Sequence, residues 1–385
     1  MIRCLLLAAV ALCPAVLPAL AAEPVLTPLV GQVIAAPRPV LGSDQRRHLV
    51  YEVQLGNVTA GTLEVQAVEI VDQGGKVVHR LDRDAVARRL SVGGRRGAEA
   101  ADLLFGQFGV LFLHVALGKD DALPRTLSHR IAIRFMPANI DHVLTIAETA
   151  VNDAPAVVLG PPLLGKGYIA GDGCCDSIRH VRALLPLDGR FTLAQRFAID
   201  WEQADAQNHL VSGDTRTLTN YTIFGKDVLA VADGTVVAAR NDLLEQVPGA
   251  LPRNLPLDQA DGNFVVLDIG GGAYVLFAHM QPGSVTVTAG ARVKRGDVLG
   301  KVGNTGNSQA PHLHLHVMDG PSPLLANGLP YVIDAFTLTA IDHAGTADFD
   351  KAEATGSPLT LTPVTPPQVM KGILPLDLTV VEFSK

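Results

Sequence analysis

Pro311-His312-Leu313-His314-Leu315-His316-Val317 alternates polar and apolar side chains, the period of a β-strand. His312, His314 and His316 therefore share one face, and Leu313, Leu315 and Val317 turn to the core. Imidazole is the commonest metal ligand and carries protons near neutral pH. Three on one face can hold a cation and position a water. Only 12 histidines occur in 385 residues, so their crowding on one strand points to a site rather than to a solvated face.

Two further segments are weaker alone. Tyr274-Val275-Leu276-Phe277-Ala278-His279 is an apolar run ending in a histidine, and Arg196-Phe197-Ala198-Ile199-Asp200 reads as a strand ending in a carboxylate beside Trp201. Around them, short valine-rich stretches alternate with glycine turns: Val228 to Ala239, Phe264 to Ile269 and Val298 to Val302. Strong helix signals are absent, so residues 167–340 read as a compact all-β domain.

These pieces resemble, in order, the lysostaphin-type zinc metallopeptidases that cut bacterial cell walls. Val228-Leu229-Ala230-Val231-Ala232-Asp233-Gly234-Thr235-Val236-Val237 is similar to the family strand that follows its metal-binding turn. Gly290-Ala291-Arg292-Val293-Lys294-Arg295-Gly296-Asp297-Val298-Leu299-Gly300 resembles its repeated glycine–valine stretch. Gly303-Asn304-Thr305-Gly306-Asn307-Ser308 with Pro311-His312-Leu313-His314 resembles its ending. The likeness spans roughly residues 195–340. It implies an antiparallel β-barrel-like metallopeptidase domain, a Zn2+ cofactor and a peptidoglycan peptide as substrate. It also implies that Asp200 and His314 are zinc ligands, and that His279 and His312 form a catalytic pair that orients water and stabilises the developing oxyanion.

One position departs from the pattern. The family's first ligand is a histidine four residues before the aspartate, where this chain has Arg196. Arginine stays protonated and cannot bind zinc. His180, His316 and His209 are the candidates for the missing ligand. Asp188-Gly189 predicts a hairpin joining Arg182–Leu187 to Arg190–Asp200. A two-residue loop sets His180 opposite Phe197, on the wrong face; a three-residue loop sets it opposite Ala198, on the face of Asp200. The second register makes His180 the favoured ligand. His316 is the rival, but lies two residues along the strand from His314, roughly 6.5–7 Å away.

The N-terminal half has a different character. Val50-Tyr51-Glu52-Val53-Gln54-Leu55, Leu63-Glu64-Val65-Gln66-Ala67-Val68, Val110 to Val115 and Ile131 to Phe135 are strand-like. Short strands broken by Gly, Asn and Asp predict an immunoglobulin-like β-sandwich over residues 23–150, an accessory module. His48, His79, His114 and His129 are scattered along it and read as ordinary surface or core residues. The tail, residues 341–385, is rich in Thr and Pro; it carries no motif, and its Leu376 to Phe383 reads as an edge strand.

Met1-Ile2-Arg3, the apolar run Cys4 to Leu20 and Ala19-Leu20-Ala21 read as a secretory signal peptide over residues 1–21, giving an exported, periplasmic or extracellular protein. Leu12 before Cys13 is bulky where a lipid-anchor signal wants a small residue. No transmembrane segment is expected after signal removal. The remaining cysteines, Cys174 and Cys175, are adjacent, as a disulfide or as two thiols. A formal net charge of −7 argues against nucleic acid as the partner.

Two other functions fit parts of the chain. A degenerate domain that binds the wall or regulates another hydrolase would explain Arg196. A biotinyl-lipoyl-type carrier would explain the glycine–valine stretch, but no lysine sits at a comparable hairpin tip and the histidines would have no purpose.

Overall fold

A computed structural model describes residues 24–95 and 97–384. The expected signal peptide lies outside them.

The N-terminal strands form two five-stranded antiparallel sheets. One runs Leu29–Val33, Arg46–Asn57, Phe108–Gly118, Leu90–Val92 in spatial order, with Val40–Leu41 also paired to Arg46–Asn57; the other runs Ile140–Ala150, Thr126–Met136, Thr62–Asp72, Val77–Asp82, with Asp102–Leu103 also paired to Thr62–Asp72. Alternation explains the layering. Tyr51, Val53 and Leu55 of one sheet meet Val65, Val68 and Ile70 of the other in a shared core. The opposite face of the first sheet is not left to water: Val50 packs into the C-terminal core, and Val110 and Phe112 pack on Leu193.

The C-terminal part is built on one ten-stranded sheet with antiparallel pairings throughout. Its spatial order is Arg292–Val293, Gly234–Arg240, Asn263–Asp268, Tyr274–Met280, Leu313–Met318, Ile199–Gln203, Gly165–Gly171, Thr379–Phe383, Phe336–Asp342, Leu361–Met370. The barrel-like closure expected from the sequence is corrected here: the two end strands do not pair, so the sheet is open. The reason is visible at the edges. Arg292–Val293 is two residues long, and Leu361–Met370 carries Pro363, Pro366 and Pro367, which have no N–H to offer a further strand. Thr379–Phe383, expected at an edge, instead lies inside the sheet between Gly165–Gly171 and Phe336–Asp342.

Two short α-helices also run against expectation. Arg83–Arg89 is capped by the Asp82 carboxylate, which accepts from the Ala85 N–H. Thr346–Thr355 ends at Gly356, whose φ of 70° is the left-handed stop that glycine supplies. The Asp-Gly hairpin forms, but in the two-residue register: Leu187 pairs with Arg190. Asp188 and Gly189 both have positive φ, 48° and 74°, as the tight turn requires.

Candidate metal centre

Three neighbouring strands build the floor of the site. Asp200 pairs across the sheet with His314, and His314 with Ala278. The apolar partners of the alternation, Trp201, Phe277, Leu313, Leu315 and Val317, are fully buried on the other face, as the heptapeptide predicted. Alternation alone would send His279, next to Ala278, to that apolar face. Its φ of 62°, at a pairing irregularity inside the strand Tyr274–Met280, returns the ring to the polar side. There it lies 4.7 Å from the His312 ring and 5.8 Å from that of His314. A non-glycine residue held at positive φ is strain of the kind that accumulates at functional sites.

His180 arrives from elsewhere. It sits in the loop between Gly165–Gly171 and Leu185–Leu187, not on a hairpin strand, so the register argument for it is wrong while the residue is the one that meets Asp200. Its Nε2 is 3.2 Å from Asp200 Oδ2, and its Nδ1–H donates to the Asp172 carbonyl at 2.9 Å. His314 Nδ1 lies 2.8 Å from Asp200 Oδ1, and His314 Nε2 lies 2.9 Å from His316 Nδ1. His180, Asp200 and His314 can each offer a donor atom within 4.8 Å of the others; so can His279, His312 and His314. His316 stands behind His314. His209 is remote from the group, near Asp205 at 3.5 Å. His48 and His114, expected as isolated residues, meet at 2.8 Å and gather with Cys175. Cys175 is bonded to Cys174, which resolves the adjacent pair as a disulfide.

Backbone carbonyls decide the tautomers, because a carbonyl only accepts. His279 donates Nδ1–H to Thr305 O at 2.7 Å, and His312 donates Nδ1–H to Ala310 O at 2.8 Å. Each keeps Nε2 for the cavity. The glycine turn that carries Thr305 is tightly nested: a Cβ on Gly306, at φ 80°, would lie 2.3 Å from the Gly262 nitrogen.

Electrostatics follow from burial and neighbours. Burial opposes ionisation of Asp200, but His180, His312 and His314 hold its carboxyl well below the usual range. Burial also opposes charge on His180, but the Asp200 carboxylate outweighs it and holds the imidazole up at about 9. Burial, reinforced by the neighbouring histidines, keeps His279 well below its ordinary value. Burial lowers His314 as well. A cation bound through His180 Nε2 would have to displace the proton there.

Arg196 is not a damaged ligand position. It lies in the 3-10 turn Ala194–Phe197, which replaces the expected strand, and points away from the cluster. Its Nε and Nη2 donate to the two carboxylate oxygens of Glu52 at 2.8 and 2.7 Å, and its Nη1 to Gly328 O at 3.0 Å.

The cluster opens into a cavity of about 380 Å³. Residues that sequence reasoning passed over line it: Asp172, Arg179, Glu202, Phe349 and Glu353. Phe349 and Glu353 come from the helix Thr346–Thr355, in the tail read as carrying no motif. Burial, with the charge of Glu353 second, raises Glu202 well above the ordinary carboxyl range. Burial likewise raises Glu353 to about 7. Only the i, i+2 spacing of Glu202 from Asp200 could have signalled any of these.

A sheet floor with a half-buried carboxylate and converging imidazoles, two of them pinned from behind by carbonyls, is a donor set of the kind that can hold a metal ion. Residues 219–325 match the model described as Peptidase family M23. The chain is 34% identical over 105 residues to the DD-carboxypeptidase/endopeptidase Mpg of Neisseria meningitidis serogroup B, a match covering 27% of this chain and 23% of that protein. It thus spans about a quarter of the length of the curated relatives it matches. Among solved structures, the catalytic domain of EnpA from Enterococcus faecalis is similar at 18% identity, covering 45% of this chain and 92% of that one, with a TM-score of 0.26. The catalytic domain of lysostaphin from Staphylococcus simulans is similar at 22% identity, covering 43% and 88%, with a TM-score of 0.23.

Proposed function

We propose that this chain is an exported zinc-dependent endopeptidase that hydrolyses peptide bonds of bacterial peptidoglycan. One observation carries the reading: His180, Asp200 and His314 bring donor atoms within 4.8 Å of one another, with His279 and His312 alongside. The donor set suits zinc, which takes imidazole and carboxylate ligands and, at catalytic sites, three protein groups. His180 would bind through Nε2, Asp200 through a carboxylate oxygen and His314 through Nδ1. Zinc bound there supplies Lewis acidity that polarises a carbonyl and acidifies water.

The other roles belong to the chain's own side chains. His279 and His312, each with Nε2 toward the cavity, are placed to accept a proton there and return it to a leaving amine. Protonated, the same nitrogens donate to charge developing on the scissile carbonyl oxygen. His316 Nδ1 receives the Nε2–H of His314, which leaves His314 Nδ1 for the centre.

The Neisseria relative is a DD-carboxypeptidase/endopeptidase, which supports a peptide as substrate. That substrate lies outside the cytoplasm, which agrees with the signal read at residues 1–21. Among the described residues no helix is long and apolar enough to cross a membrane. We read the N-terminal unit as an immunoglobulin-like sandwich, a reading supported by the neighbour order of its two sheets.

Elemental analysis with a turnover assay on isolated sacculi tests the reading. His279→Ala and His312→Ala should lose hydrolysis and keep zinc; His314→Ala should lose both. If His312→Ala empties the site, the ligand and proton-transfer roles are reversed. Wild-type protein that binds no zinc ends the hydrolase reading.

A further inference from the structure

The cavity beside the histidines contains two carboxyl groups that the hydrolytic mechanism does not use. Glu202 follows Asp200 by two residues on its strand and so faces the same way. Glu353 reaches in from the helix Thr346–Thr355. They are only 4% and 8% exposed. Glu202 Oε2 has no hydrogen-bond partner. The one arginine lining the cavity is already spent: Arg179 donates to Asp172 at 2.8 Å and to both oxygens of Asp350 at 2.7 Å. Among the described residues, no lysine or arginine pairs with Glu202 or Glu353.

Buried carboxyl groups without a counter-charge are costly to ionise, and a polar atom left without any partner in such a place wants something to complete it. A second metal ion is a poor candidate, because neither residue belongs to a group whose donor atoms come close enough to share one. An ammonium group fits better: it is compact, carries three donors and tolerates carboxylates that are not arranged as a cage. The buried ring of Phe349 on the same wall gives an alkyl stem an apolar surface.

We propose that Glu202 and Glu353 form a subsite for a primary ammonium group on an aliphatic side chain of the substrate, next to the bond that is cut. This rests on the hydrolase reading, but its test does not require turnover. The probes are an N-terminally blocked pentapeptide with lysine at its centre and the same peptide acetylated at the lysine Nζ. Binding is measured by calorimetry on the mature chain carrying His279→Ala, with zinc added.

Charge-assisted hydrogen bonds of this kind are worth enough that acetylation should weaken binding by about tenfold or more. Glu353→Gln in the same background should bring the two affinities to within about twofold of each other. Because Glu202 adjoins the metal centre, Glu353→Gln on the helix carries the decision and Glu202→Gln repeats it. Equal affinities for the two peptides, or an acetylation effect that survives Glu353→Gln, overturns the subsite. So does failure of the lysine peptide to bind. A hydrolase failure shows separately, as zinc-free or inactive wild-type protein.

Discussion

Arg196→Met tests whether this arginine belongs to the fold or to the metal centre. Its guanidinium is buried against Glu52 of the sandwich, which is 0% exposed. The pair is bidentate, at 2.8 and 2.7 Å. Removing the arginine strands a carboxylate at the junction of two cores. Loss of one partner of a buried pair typically costs about 3–5 kcal/mol. A second route bounds the figure, since the stranded group can take a proton instead. Holding a carboxyl of ordinary pKa near 4.3 protonated at pH 7 costs about 3.7 kcal/mol. At pH 5 the same step costs about 1 kcal/mol. The sign follows: a carboxyl kept neutral in the folded state stabilises it as pH falls. The penalty of Arg196→Met should therefore be about 4 kcal/mol at pH 7 and shrink by roughly 3 kcal/mol at pH 5. Pairing Arg196→Met with Glu52→Leu should recover most of it, because an apolar pair of similar volume carries no stranded charge. Urea unfolding followed by the fluorescence of Trp201, the single tryptophan and fully buried, reads each value. Zinc content should not change. A penalty under about 1 kcal/mol at pH 7 refutes the coupling, and loss of zinc places Arg196 in the metal centre after all.

His180→Ala should lose zinc outright, whereas His316→Ala, which removes only the group behind His314, should weaken zinc affinity by about 10–100-fold; zinc lost in the second variant and retained in the first shows that the wrong histidine was chosen. His129 is buried between the Tyr51 hydroxyl at 2.9 Å and the Ala147 carbonyl at 3.0 Å, and burial lowers it to about 4. The unfolded chain takes that proton first, so stability present above about pH 6.5 is lost toward pH 4, by about 3 kcal/mol. Acid titration of stability should be flatter by that amount in His129→Gln, and an unchanged profile contradicts the assignment.

Much of the site was legible because a strand's period is simple. His312, His314 and the buried leucines fell where alternation put them, and Asp200 lay one strand away. What was illegible depended on geometry that leaves that period. His279 reaches the polar face through a positive φ that no pattern of apolar residues encodes. His180 reaches Asp200 from an irregular loop and not through the hairpin register, since Asp188-Gly189 forms the two-residue turn its composition favours. The open sheet was concealed because family likeness covers its middle, while Pro363, Pro366 and Pro367 act at an edge that only pairing reveals. Glu52 and Arg196 lie 144 residues apart, and nothing local marks either as the other's partner.

The division of labour between the matched segment and the rest has a consequence for how the centre is held. His279, His312 and His314 lie within residues 219–325. Asp200, His180, Glu202 and Glu353 lie outside them. The loop that delivers His180 also carries the Cys174–Cys175 bond, and Asp172 accepts from Ser177 at 2.9 Å within it. It is tied to the sandwich: Arg89, at the end of the helix Arg83–Arg89, forms an ion pair with Asp176, and Arg182 donates to the Arg88 carbonyl. A loop has no ladder to fix its register, so its position depends on such ties. The Arg196–Glu52 pair ties a different segment, the turn Ala194–Phe197, to the sandwich. The N-terminal domain is thus part of what places a metal-facing histidine against Asp200, and weakening Arg89–Asp176 should register at the metal centre before it registers in global stability.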